Sequence, residues 1–192
     1  MRIFRLAIGF LIGLMTASTP VVAQTTTQAE SPAGDLENTL YMELKTGRVV
    51  IEMRPDLAPE HVTRIKDLVR EGFYDGLVFH RVIEGFMAQT GDPEGTGMGG
   101  SGKNLRAEFS NEPHRRGAVS MARSSNPNSA DSQFFIVLDD SPHLNGQYTV
   151  WGQVISGMEH VDQIKKGSSS MNGKVYNPDQ MITLKVAADV TE

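Results

Sequence analysis

A chain of 192 residues with a formal net charge of −5 and no cysteine is long enough for one domain with a sizeable core. It lacks the basic surplus that nucleic-acid binding demands, and it can form neither a disulfide nor the cysteine-linked anchor of a bacterial lipoprotein. Its five histidines, His61, His80, His114, His143 and His160, are scattered; with no H-x-x-x-H pair and no cysteine partner, no metal site is expected.

Residues 1–23 have the layout of a signal peptide. Arg2 and Arg5 form a basic start, Leu6 to Met15 an uncharged apolar run, and Val21-Val22-Ala23 a small-residue cleavage point. The uncharged stretch continues to Gln28, which leaves a retained anchor open, but Thr16, Ser18, Thr19 and Pro20 weaken it as a membrane helix. The expectation is an exported, soluble monomer without a stable membrane anchor, sent by the general export route to the periplasm, with a secreted destination left open.

Residues 24–37, rich in Thr, Ser, Ala and Gln, read as a flexible linker, and residues 38–192 as a single domain. Thr39 to Lys45 and Val49 to Arg54 alternate around Gly47, predicting a β-hairpin. Pro59 suits a first helical turn; Val62, Ile65, Leu68 and Val69 recur at helical spacing, and Gly72 closes that helix. A second helix is predicted over Met158 to Lys166, with Gly167 as its stop. About eight short strands with Gly-rich connections and two helices predict a mainly β fold, a closed antiparallel eight-stranded barrel capped by the helices.

Within that outline, Phe79 to Asp92, FHRVIEGFMAQTGD, combines a cation, an amide and bulky apolar side chains. Period 2 sends Arg81 and Ile83 to one face and Val82 and Glu84 to the other until Gly85 breaks the run. Such a segment can bind peptide, or it can be ordinary core with Arg81 as an edge charge, and periodicity alone favours core. Gly97 to Lys103 imitates a phosphate loop, but Asn104 stands where Ser or Thr would meet magnesium and no parallel strand precedes it. No G-x-S-x-G elbow surrounds Ser120 or Ser132.

The string FHRVIEGFMAQTGD closely resembles the signature segment of the cyclophilins, a family of peptidyl-prolyl cis/trans isomerases, and SQFFIVL at Ser132 to Leu138 resembles that family's second hallmark. Gly95-Thr96-Gly97, Ala118 to Ala122 and Tyr148 to Val154 also resemble family segments, so the similarity runs from about Thr39 to about Val190. The resemblance implies the same capped barrel, isomerase activity on proline-containing unfolded or partly folded polypeptides, and no cofactor. It further implies Arg81 as the catalytic donor with Gln89 as its polar partner. Phe86, Met87, Phe135 and Leu144 would hold the proline ring, and Ala122, Arg123 and Gln133 would take the residues before it. The sequence departs from the pattern at His143 and Tyr148, where well-known members carry tryptophan and histidine, and at Arg123, where asparagine is usual. Tyr148 keeps an aromatic wall; His143 lacks the indole N–H that binds cyclosporin, so weak cyclosporin binding with retained catalysis is expected. A non-catalytic proline-peptide binding or chaperone module is the alternative, and it would not be expected to keep both Arg81 and Gln89.

Overall fold

The computed structural model describes residues 35–190; the expected signal peptide and most of the expected linker lie outside them. The folded domain begins three residues earlier than expected, because Asp35 caps a short 3₁₀ turn, Leu36–Asn38, by accepting a hydrogen bond from Glu37 N at 3.1 Å. Glu37 in turn pairs with Lys66 and Arg70 of the first helix, fastening this turn to the domain.

Eight antiparallel strands follow: β1 (Thr39–Leu44), β2 (Gly47–Met53), β3 (Arg81–Ile83), β4 (Met87–Thr90), β5 (Ala118–Met121), β6 (Phe134–Val137), β7 (Val150–Ser156) and β8 (Met181–Val186). They make one sheet in the order β3-β4-β6-β5-β7-β2-β1-β8. Closure of the barrel is looser than a continuous ladder. Strands β3 and β8 do not pair, and the seam is stitched by irregular backbone: Phe79 N to Asp179 O at 3.0 Å, Val82 N to Gly173 O at 2.8 Å and Met181 N to Leu77 O at 2.8 Å.

Alternation along the strands creates two apolar clusters on opposite faces. Val82, Ala88, Val119, Phe134 and Ile136 point into the main core with Tyr74, Phe79 and Trp151, against which helix α1 (Pro59–Arg70) lays Val62, Ile65, Leu68 and Val69. Met87, Ala118, Phe135 and Val137 take the other face and join Leu144 in a smaller cluster. Hence β5 and β6 are buried at every position, the pattern of strands covered on both sides.

The first helix starts and stops as its sequence predicts, with Gly72 at φ +72 just past its end. Its N-terminus is satisfied from a distance: Glu108 accepts from Glu60 N and His61 N and meets His61 Nδ1 at 2.6 Å. The second helix, α2 (Met158–Asp162), is four residues shorter than predicted. Gln163 N and Ile164 N bond the carbonyls three residues back, tightening the turn, and Lys165 N is drawn away to Asp179 at 2.8 Å.

Candidate active site

Strands β3 and β4 form a hairpin in which Arg81 lies directly opposite Gln89, with Gly85 supplying a positive φ of 66° in the connection. The pairing places both side chains on the face of the smaller apolar cluster. Arg81 Nη1 donates to Gln89 Oε1 at 3.1 Å, Gln89 Nε2 to Gln133 Oε1 at 2.9 Å, and Gln133 Nε2 to Gly99 O at 2.8 Å. Because a guanidinium has no acceptor, Gln89 must offer its oxygen, and each amide down the chain is oriented in turn. Two further bonds hold Arg81 from the other side: Nε to Asn172 O at 3.0 Å and Nη2 to Asn172 Oδ1 at 2.9 Å.

Beside Arg81 opens a cavity of about 440 Å³ walled by Phe86, Met87, Phe135, Leu144 and Tyr148. Its floor is rigid. Tyr148 meets Phe135 edge to face at 5.9 Å, and His114 stacks beneath Phe135 at 6.3 Å. A second cavity of about 310 Å³ lies next to the first, sharing Gln89, Gly97, Ala122 and Arg123 with it and lined further on by Gln133. Together they form a groove with an apolar well at one end, the shape an extended peptide with one embedded ring would fill.

Charged lining residues of the well are Arg81, Arg123 and Lys174, with no carboxylate among them. Burial pushes the Arg81 guanidinium below its ordinary value, yet an arginine remains cationic throughout the working range. Burial also lowers the His80 imidazole, which lines the well. The well therefore offers fixed donors beside an apolar wall.

Ten of the eleven predicted site residues line the two cavities, and His143 does not. It is exposed and lies against Phe86, ring to ring at 5.3 Å. Arg123 spans the rim differently from a substrate contact: its guanidinium lies 4.4 Å over the Tyr148 ring and donates from Nε and Nη2 to Gln147 O. That clamp holds the 143–148 segment over the well. Sequence reasoning missed His80, Thr96, Gly97, Met171, Asn172 and Lys174 as lining residues. The first three stand inside or beside the quoted motifs; the last three follow a run of serines whose only signal is the Asn-Gly turn dipeptide.

The decoys resolve on geometry. In the Gly-rich loop, Asp92 accepts from the N–H groups of Glu94, Thr96 and Gly97, and Asp131 from those of Ser101 and Gly102. Those donors are spent on carboxylates of the chain, and no helix follows before β5, so the loop lacks the helix N-terminus that a phosphate site uses. Ser120 touches His114 Nε2 at 3.1 Å but is fully buried and donates to Thr149 O at 2.8 Å, which removes it as a nucleophile. Among the described residues no cluster of three or more potential metal ligands occurs, and no helix is long and apolar enough to cross a membrane.

A hairpin presenting arginine and glutamine beside an apolar-walled well meets its counterpart in comparison with known proteins. The family model for cyclophilin type peptidyl-prolyl cis-trans isomerases matches residues 39–186. The chain belongs to the cyclophilin family. A probable peptidyl-prolyl cis-trans isomerase of Brucella suis is 59% identical over 169 residues, covering 82% of this chain and 86% of the relative. Isomerase B of Bacillus subtilis is 46% identical over 130 residues, covering 66% of this chain and 90% of its own. Among solved structures, a cyclophilin of Hirschia baltica aligns with a TM-score of 0.73 at 28% identity, covering 82% of this chain and 76% of its own. A Cryptosporidium parvum cyclophilin crystallised in the presence of the dipeptide Ala-Pro aligns at 0.70 and 29%, covering 77% and 98%. This cyclophilin is thus a peptidyl-prolyl cis-trans isomerase, built on the mainly β, eight-stranded antiparallel architecture its sequence predicts.

Proposed function

We propose that this cyclophilin serves the folding of exported polypeptides, with Arg81 as the catalytic donor and Gln89 as its partner. Rotation about an X-Pro bond is opposed by amide resonance, a barrier of roughly 18–20 kcal/mol. No bond breaks; what must be stabilised is a twisted amide whose proline nitrogen has regained its lone pair. A donor fixed beside that nitrogen gains its hydrogen bond only when resonance is lost, which is differential binding of the transition state. A rate gain of about 10⁵ requires about 7 kcal/mol of such stabilisation. One charge-assisted bond in a water-poor well, added to restricted rotation of the held ring, is of that order.

The observation that carries the assignment is the tethering of Arg81 at the mouth of the apolar well by Gln89 and Asn172. Phe86, Met87, Phe135, Leu144 and Tyr148 hold the ring, while Ala122, Arg123 and Gln133 border the groove for the preceding residues. The Ala-Pro dipeptide of the Cryptosporidium neighbour has the chemistry this well accepts. His143, standing where an indole would donate to cyclosporin, leaves that ligand weakly held. Export to the periplasm after cleavage at Ala23 rests on the basic, apolar and small-residue order of residues 1–23, and the enzyme acts there as a monomer.

Refolding of a protein limited by proline isomerisation tests the role: the chain from Gln24 onward accelerates the slow phase of tens of seconds, and Arg81→Ala does not. Expressed at full length in a Gram-negative bacterium, the protein is recovered from the periplasm with Gln24 as its first residue. A cytosolic protein that keeps Met1 would remove the export half of the proposal.

A further inference from the structure

Arg81 has five N–H donors, and their partners show how the side chain is aimed. Gln89 takes one from Nη1, and Asn172, 91 residues away in sequence, takes two, its carbonyl from Nε and its side-chain oxygen from Nη2. The unspent donors are one N–H on each terminal nitrogen, and Nη1 has only the Met87 sulfur nearby at 3.9 Å. Gln89 alone grips one corner of a long, flexible side chain. Asn172 grips the opposite edge at two points, and a two-point grip fixes the plane.

The turn that carries Asn172 is itself held. Asn172 is left-handed, at φ +52, a conformation asparagine tolerates better than most residues. On either side, Gly173 N bonds Ser168 O at 2.9 Å, Lys174 N bonds Met171 O at 3.1 Å, and Gly173 O receives Val82 N at 2.8 Å from β3. The acceptors of Asn172 are therefore anchored to the strand that carries Arg81.

We propose that Asn172 is a positioning residue for the isomerisation, holding the Arg81 guanidinium so that its unspent N–H groups face the proline nitrogen before substrate arrives. The inference rests on Arg81 being the catalytic donor. Asn172→Gly keeps the backbone conformation and the carbonyl but removes the side-chain acceptor; Asn172→Asp keeps an acceptor and tolerates the left-handed turn.

Exchange measurements on an Ala-Pro peptide, with melting temperatures recorded in parallel, decide the matter. Asn172→Gly is expected to lower kcat about tenfold with KM and melting temperature nearly unchanged, the mark of an interaction used in the transition state. Asn172→Asp is expected to restore the rate to within about threefold of wild type. In an Arg81→Ala background Asn172→Gly is expected to add nothing, since the two act as one unit. A wild-type rate in Asn172→Gly beside an inactive Arg81→Ala would overturn the positioning role alone. Equal losses in the Gly and Asp variants would also overturn it, while full activity in Arg81→Ala would instead remove the reading beneath it.

Discussion

Arg81 and Gln89 sit eight residues apart in sequence and directly across a strand pair in space, so one short string contains both the proposed donor and the first group bonded to it. That locality makes them legible: the string that resembles the family signature contains both, whereas periodicity alone does not separate a site from a core. Asn172 was hidden for the opposite reason. Its partnership with Arg81 spans 91 residues, and nothing in the run Ser168 to Gly173 announces which strand it will meet. The resemblance makes His143 a binding residue; its ring lies 5.3 Å from that of Phe86, and it lines neither cavity. Replacing it with tryptophan is expected to raise cyclosporin affinity by about tenfold or more, roughly the value of one added hydrogen bond to a buried group, while leaving the isomerase rate within about twofold. A fluorescence titration of the two proteins checks this, and equal affinities would show that the indole position does not control the ligand.

At the scale of elements, the β3–β4 hairpin and the 168–174 turn are the parts that must meet correctly, and each carries a glycine with a different burden. An added methyl at Gly85, φ +66, would find nothing within 4 Å, so Gly85→Ala is expected to cost only the left-handed penalty of about 1–2 kcal/mol. At Gly173, φ +80, the same methyl would run into the Ile83 side chain and sit 3.0 Å from Val82 O. Gly173→Ala is therefore expected to cost about twice as much or more and to lower activity by shifting Asn172. Urea denaturation of both variants gives the comparison; equal losses would mean that the contact between the turn and β3 gives way easily. The first helix and the opening hairpin followed their local patterns because apolar spacing and turn glycines agree with tertiary packing there. The second helix lost four residues because a long-range acceptor, Asp179, claims Lys165 N, a competition that local spacing does not encode.

For the whole molecule, alternation accounts for a sheet with the main core on one face and the smaller apolar cluster on the other, but the seam between β3 and β8 is made of irregular backbone with no periodic signal. The buried histidines predict that the fold loses stability in acid. Desolvation lowers His80 and likewise His114, against an opposing bond from Asn145, so the unfolded chain takes up protons more readily than the folded one. Their contribution is complete above the unfolded value of about 6.5 and is lost as pH falls from there through the folded values. Burial works to raise the Asp92 carboxyl, but N–H groups of Glu94, Gly97 and Gly99 outweigh it and hold it low, so its share is lost only below about pH 4. The melting temperature is expected to be flat down to about pH 6.5 and to fall below it, with a shallower fall in a His80→Gln, His114→Gln double variant; an unchanged slope in that variant would move the effect to other groups. On the proposed mechanism, one tethered guanidinium beside an apolar wall supplies most of the barrier lowering. NMR exchange on an Ala-Pro peptide with wild type beside Arg81→Ala tests it most directly: a loss of about a hundredfold or more in exchange rate, with melting temperature and peptide affinity little changed, is the predicted result, and equal exchange in the two proteins would contradict it.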